Sequence, residues 1–134
     1  MTTASSVIIT IDGPAGTGKS SVSHQLAKRL GLQCLDTGAM YRCVTLLSIR
    51  ESIDPLDGDT LVAALEQHSI EFDWDLTPPK VLLDGLGVED EIRGPEVAER
   101  VSIVATVGVV REAMVTAQRR IAAAHRGIIS EGRD

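Results

Sequence analysis

Val7-Ile-Ile-Thr-Ile-Asp-Gly-Pro-Ala-Gly-Thr-Gly-Lys-Ser20 is the stretch on which the fold turns. Its first five residues are mostly β-branched and read as a short buried strand. The strand runs straight into a glycine-rich turn. After the turn Val22, Leu26 and Leu30 recur at helical spacing, with Lys28 and Arg29 late in the helix and Gly31 as its stop. Gly13, Gly18, Lys19 and Ser20 satisfy the phosphate-loop spacing, which a random chain of this length meets roughly once in two hundred. The residue types have physical reasons. Glycines let the backbone aim its N–H groups at one point, and the following helix adds unpaired N–H groups and the positive end of its dipole. A lysine supplies a point charge to the β and γ phosphates, and a serine hydroxyl can join a magnesium shell. The stretch Gly13, Pro14, Ala15, Gly16, Thr17, Gly18, Lys19, Ser20 and Ser21 is therefore expected to hold a nucleoside triphosphate with Mg2+.

Outward from this point, Leu32 to Leu35 reads as a second strand ending at Asp36. Thr37 can cap a helix carrying Met40, Val44 and Leu47, and another helix is expected from about Asp59 to His68. Ile70 to Asp75 alternates apolar and acidic residues, Pro78-Pro79 break it, and Lys80 to Asp84 resumes extended structure. Gly85 and Gly87 suggest a turn before Val88, so this region reads as a small antiparallel insert. Helical periodicity returns from Pro95 to His125 as two helices meeting near Gly108. Gly127 to Ser130 is a third strand candidate, followed by Glu131-Gly-Arg-Asp134. This order predicts an α/β domain with a parallel sheet flanked by helices. Three strands are few for such a sheet, and a chain stopping after the third is expected to expose one hydrophobic edge.

Composition narrows the function. The 134 residues are 43% apolar and 24% charged, which fits one globular domain and excludes whole-chain disorder. No apolar run spans a bilayer and Met1 to Ser6 lacks a secretory pattern, so a cytoplasmic protein without membrane contact is expected. Cys34 and Cys43 read as ordinary reduced thiols. Three aromatic residues are too few for a base-stacking platform, so no nucleic-acid partner is expected. The net charge of −6 hides an uneven distribution: Glu51 to Glu99 holds 14 acidic residues against Lys80 and Arg93, a local net of −12, and the remainder carries +6. Cationic flanks suit a small anionic ligand.

A phosphate loop does not choose the reaction. Asp84-Gly-Leu-Gly87 matches the acidic element of a GTPase, but it lies in the insert, and the chain has no asparagine for a guanine-reading motif. Asp36-Thr-Gly-Ala-Met-Tyr-Arg42 favours a kinase, because it follows the second strand on the phosphate-loop side of a parallel sheet. Arg42 could hold an acceptor phosphate by a two-pronged bond, with Tyr41 beside it. Glu131-Gly-Arg133-Asp134 lies at the same edge, and Arg111 sits on the helix leading there. His24, His68 and His125 are scattered and read as surface or packing residues. Asp54, Asp57 and Asp59 miss the calcium-loop spacing and read as a solvated turn.

Together these stretches resemble bacterial cytidylate kinases, with Glu91-Ile-Arg93 and Val110-Arg-Glu-Ala113 adding to the match. The resemblance implies the P-loop nucleoside monophosphate kinase fold over residues 1–134, with about 57–95 as the monophosphate-binding insert. It makes the nucleoside triphosphate held by Gly13 to Ser21 ATP, and it implies a monomeric enzyme transferring the γ-phosphoryl group of ATP to CMP or dCMP. Lys19, Arg42 and Arg133 would be catalytic. Thr37, Tyr41, Arg42, Ser102, Arg111, Arg133 and Asp134 would bind CMP, and Ser20 would meet the magnesium ion. It also implies that the last strands and a mobile lid are missing from these residues, which are not expected to turn over alone. A nucleotide-binding module acting through a partner, and a kinase for another acceptor such as UMP, are the competing readings.

Overall fold

The computed structural model describes residues 7–12, 19–125 and 127–132. The chain forms two compact units, one from residues up to Gly38 and from Ala117 onward, the other from Ala39–Thr116.

The first unit is built on a parallel sheet of β1 (Val7–Asp12), β2 (Gln33–Asp36) and a later strand at Gly127–Gly132, which is β6 in chain order. The strand order is β1-β6-β2. Val7 pairs with Gly127 and Asp12 with Gly132, while Gln33 pairs with Ile128 and Asp36 with Glu131. The last strand, β6, lies in the middle and is hydrogen-bonded on both sides, so β1 and β2 are the edges of the described sheet. Helix α1 (Lys19–Leu30) follows β1. Its core contribution is Ala27, packed with Cys34 and Ile129 and flanked by Ile9, Leu26 and Leu32. The stripe expected to be buried behaves differently: Val22 is 54% and Leu30 43% exposed, whereas Ser23 and Ala27 are buried. Small side chains four residues apart let the helix approach its sheet closely, and that face is the one covered. The predicted stop is real. Gly31 has φ +66, and the Leu32 N–H donates to the Ala27 carbonyl at 2.9 Å, the long-range bond of a Schellman cap.

The second unit contains most of α2 (Thr37–Arg50), then α3 (Gly58–Glu66), a sheet of β3 (Ile70–Asp73), β4 (Lys80–Leu83) and β5 (Leu86–Gly87), and helices α4 (Glu89–Ile92) and α5 (Pro95–Val104). It closes with the first half of α6 (Gly108–Ala123). Met40, Val44 and Leu47 are fully or almost fully buried, as their spacing predicts. The buried hydroxyls between them are satisfied within the helix: Thr45 donates to the Tyr41 carbonyl at 2.8 Å and Ser48 to the Thr45 carbonyl at 2.6 Å. Helix α3 starts one residue before the expected Asp59, because Asp57 caps it by accepting from the Thr60 N–H at 3.3 Å and the Thr60 hydroxyl at 2.7 Å. Asp54 accepts from the Leu56 N–H. The acidic trio is thus a turn and a cap.

The insert is antiparallel in the order β3-β4-β5, with Ile70 opposite Leu83 and Asp73 opposite Lys80. Ile70, Phe72, Val81 and Leu83 are buried. Asp84 and Gly85 both have positive φ, 53 and 79, so the GTPase-like tetrapeptide begins with the two-residue turn of a hairpin. Helix α4 has no counterpart in the sequence reading, since one turn is too short to display a helical period.

The same turn meets a histidine. His68 places Nδ1 2.6 Å from Asp84 Oδ2 and Nε2 3.4 Å from Glu51 Oε2, while Asp84 Oδ1 accepts from the Ser69 N–H. The hydrogen bond to Asp84 raises the His68 pKa above its ordinary value, and Glu51 adds to it. The partner bond lowers the Asp84 pKa, helped by the Ser69 N–H. The histidine's contribution to stability is therefore complete below its ordinary titration range and lost as pH rises through the raised value. That of Asp84 is present above the usual carboxylate range and lost as pH falls. Denaturation midpoints of wild type and His68→Gln are expected to differ most below the ordinary histidine range and to converge as pH rises through the raised His68 value. A gap that stays constant across this span would mean that the imidazolium is not what holds the turn.

Candidate functional site

The carboxyl ends of the three parallel strands lie at one edge of the first unit's sheet. Residues 13–18 follow β1, Thr37 follows β2, and Arg133 and Asp134 follow β6. The registers Asp12 to Gly132 and Asp36 to Glu131 put all three strand ends at the same level. Ligands in open α/β sheets bind beyond these carboxyl ends. Lys19, Ser20 and Ser21 form the first turn of α1, where N–H groups lack intrahelical partners. Gly13, Pro14, Ala15, Gly16, Thr17, Gly18, Arg133 and Asp134 lie outside the described residues. Thr37 is buried.

Tyr41, Arg42, Ser102 and Arg111 belong to the second unit. Tyr41 and Arg42 are partly buried on the first turns of α2, whereas Ser102 on α5 and Arg111 on α6 are exposed. Burial raises the Tyr41 pKa, and the positive charge of Arg111 opposes that rise, so the fold brings the α6 arginine close to the α2 tyrosine. Ser102 makes no side-chain hydrogen bond with them.

The arginines of this unit fall into two kinds. Arg50 pairs with Glu91 at 2.5 Å, and Arg93 pairs with Glu89 at 2.7 Å, four residues earlier on the chain. Glu89 also lies 3.8 Å from Lys80. These cations are neutralised within the acidic middle of the chain. Arg42 and Arg111 have no carboxylate partner among the described residues. Two guanidinium groups without a carboxylate partner among the described residues suit an anion, because arginine offers planar, two-pronged donors to phosphate. The Arg93–Glu89 pair has a local i,i+4 spacing, but sequence reasoning could not see the Arg50–Glu91 pair, since those residues are far apart in the chain.

Neither cysteine adds a reactive group. Both are buried, and the Cys43 thiol is pushed up to about 12 by burial and the nearby Glu89, against a smaller opposing effect of Arg50. No single helix among the described residues is long and apolar enough to cross a membrane.

Comparison with known proteins agrees with this geometry. The family model for cytidylate kinase matches residues 9–134. A cytidylate kinase of Rhodococcus opacus (strain B4) is 49% identical over 130 residues, covering 97% of this chain and 57% of the relative. One from Corynebacterium glutamicum is 47% identical over 132 residues, covering 98% and 57%. A bifunctional pantoate ligase/cytidylate kinase of Prochlorococcus marinus (strain MIT 9303) is 46% identical over 128 residues, covering 95% of this chain and 26% of that protein. The chain thus spans a little over half the length of the single-function relatives it matches. With the family model matched over residues 9–134 and relatives up to 49% identical, the chain belongs to the cytidylate kinase family.

Proposed function

We propose that the protein carrying this chain transfers the γ-phosphoryl group of ATP to CMP and dCMP, forming CDP and dCDP. The observation that carries the reading is that Arg42 and Arg111 have no carboxylate partner among the described residues, while the charge of Arg111 acts on the half-buried Tyr41. In this reading Thr37, Tyr41 and Arg42 line the acceptor site, Arg42 and Arg133 grip its phosphate, and Ser102, Arg111 and Asp134 read cytosine and sugar. Residues of about 57–95 form the insert that holds the monophosphate. Gly13 to Ser21 hold ATP. The reading also makes the protein a cytoplasmic monomer that takes up neither nucleic acid nor membrane.

The Ser20 hydroxyl, a hard oxygen donor in the first turn of α1, is the kind of ligand Mg2+ accepts alongside phosphate oxygens and water. When bound with ATP, that ion neutralises charge on the phosphate oxygens. The protein's own part is positioning and electrostatics. Lys19 holds the β and γ phosphates, the arginines hold the acceptor in line, and the acceptor phosphate oxygen replaces the bridging oxygen of ADP at the transferring phosphorus. No covalent intermediate on the protein is needed.

A coupled transfer assay of the full-length protein with ATP and a panel of CMP, dCMP, UMP and AMP tests the proposal. CMP and dCMP are expected to exceed AMP in kcat/KM by at least about a hundredfold, because polar groups built for one base are left unpaired by another. A preference for UMP would move the assignment to another acceptor. CMP binding without any transfer would leave a nucleotide-binding module.

A further inference from the structure

Gly58 is the first residue of α3 and is buried against the start of α6. A β-carbon built on it would stand 2.6 Å from Val107 Cγ1 and nearer still to Val109 Cγ2. Real side-chain carbons do not approach so closely, so any larger residue here forces one partner to move. Valine cannot swing its branched methyls aside at small cost. The α3 side of the contact is anchored, because Asp57 caps the helix through Thr60 and its own N–H donates to the Asp54 carbonyl at 2.9 Å. Gly58 does not occupy the left-handed backbone region, so alanine would differ from it sterically and not by backbone strain.

The other side of the contact is the first turn of α6. The Val107 carbonyl accepts the Arg111 N–H at 3.0 Å, and Val110, between Val109 and Arg111, is fully buried. The two valines that touch Gly58 therefore flank the turn from which Arg111 projects. We infer that Gly58 is a positioning residue for the acceptor site: by letting α3 close on Val107 and Val109 it sets where α6 presents Arg111. The charge effect of Arg111 on Tyr41 supports the placement of that arginine beside the tyrosine. The inference rests on the reading of Arg111 as an acceptor-site residue, and it adds a residue that touches no substrate.

The test is steady-state kinetics and thermal melting of the full-length enzyme carrying Arg111→Ala, Gly58→Ala, Gly58→Ala with both Val107→Ala and Val109→Ala, and Val107→Ala with Val109→Ala. Arg111→Ala is expected to raise the KM for CMP. Gly58→Ala is expected to raise it about tenfold while the KM for ATP stays within about twofold, since small misplacements of a binding group cost this much. Removing the Val107 and Val109 methyls together in the Gly58→Ala background is expected to restore most of the CMP affinity. A purely structural role would not split the two substrates or be rescued in this way. If Arg111→Ala leaves the CMP KM unchanged, the acceptor-site reading of Arg111 fails and takes this inference with it. If Arg111→Ala raises it but folded Gly58→Ala does not, or raises both KM values equally, the inference alone is overturned. Should Gly58→Ala fail to fold, the Val107→Ala, Val109→Ala variant decides: a raised CMP KM supports the positioning role, and an unchanged one refutes it.

Discussion

Lys19→Met is expected to lower kcat by about two to three orders of magnitude while the KM for CMP changes little. Methionine keeps the length and helix preference of lysine at the first position of α1, so the helix and its sheet contacts are preserved. What it removes is the positive charge that, in the proposed reading, the phosphate-loop lysine brings to the β and γ phosphates. That charge matters more in the transition state than in the ground state, because charge then gathers on the oxygens of the transferring group. The measurement is single-turnover transfer from ATP to CMP, with a melt to confirm folding. Retention of more than about a tenth of the wild-type rate would mean that Lys19 binds ATP without stabilising its transfer.

Arg42→Ala is expected to raise the KM for CMP by about a hundredfold and to leave that for ATP nearly unchanged. Arg42 is partly buried and has no carboxylate partner among the described residues, so its charge is available to an incoming phosphate. Loss of a two-pronged, charge-assisted contact costs this order of affinity. Arg42→Lys should recover only part of it, because a point charge cannot reproduce the planar fork. Arg50→Ala, eight residues along the same helix, is the matched control: its guanidinium is already paired with Glu91 at the surface, and little change in either KM is expected. Equal losses for CMP and ATP in Arg42→Ala would remove Arg42 from the acceptor site.

Much of this protein could be read without coordinates. The β-branched run at Val7, the glycine-rich turn, the stop at Gly31, the junction near Gly108 and the antiparallel insert are all local signals. Each depends on periodicity within one element or on the conformational freedom of one residue. The Asp36 to Arg42 stretch is equally local, because a strand end and the helix after it travel together in the chain. These features made the fold class and the candidate ATP and acceptor residues legible.

Tertiary structure decided the rest. Nothing near Gly127 says that its strand inserts between the first two, since strand order depends on which edges are open when the sheet assembles. The spacing of Val22, Leu26 and Leu30 correctly marks one side of α1, yet the covered side is the one with Ser23 and Ala27. Periodicity reports which residues share a face, and only a partner surface determines which face is covered. The same holds for charge. Composition showed that Arg42, Arg50, Arg93 and Arg111 exist, but the fold pairs Arg50 and Arg93 with glutamates and gives Arg42 and Arg111 no carboxylate partner among the described residues. It also places His68 between Asp84 and Glu51, and Gly58 against Val107 and Val109. Sequence by itself determined which chemical groups and which local elements this protein has. Their neighbours were chosen by long-range packing, because contact energies act through space between residues that the chain keeps far apart.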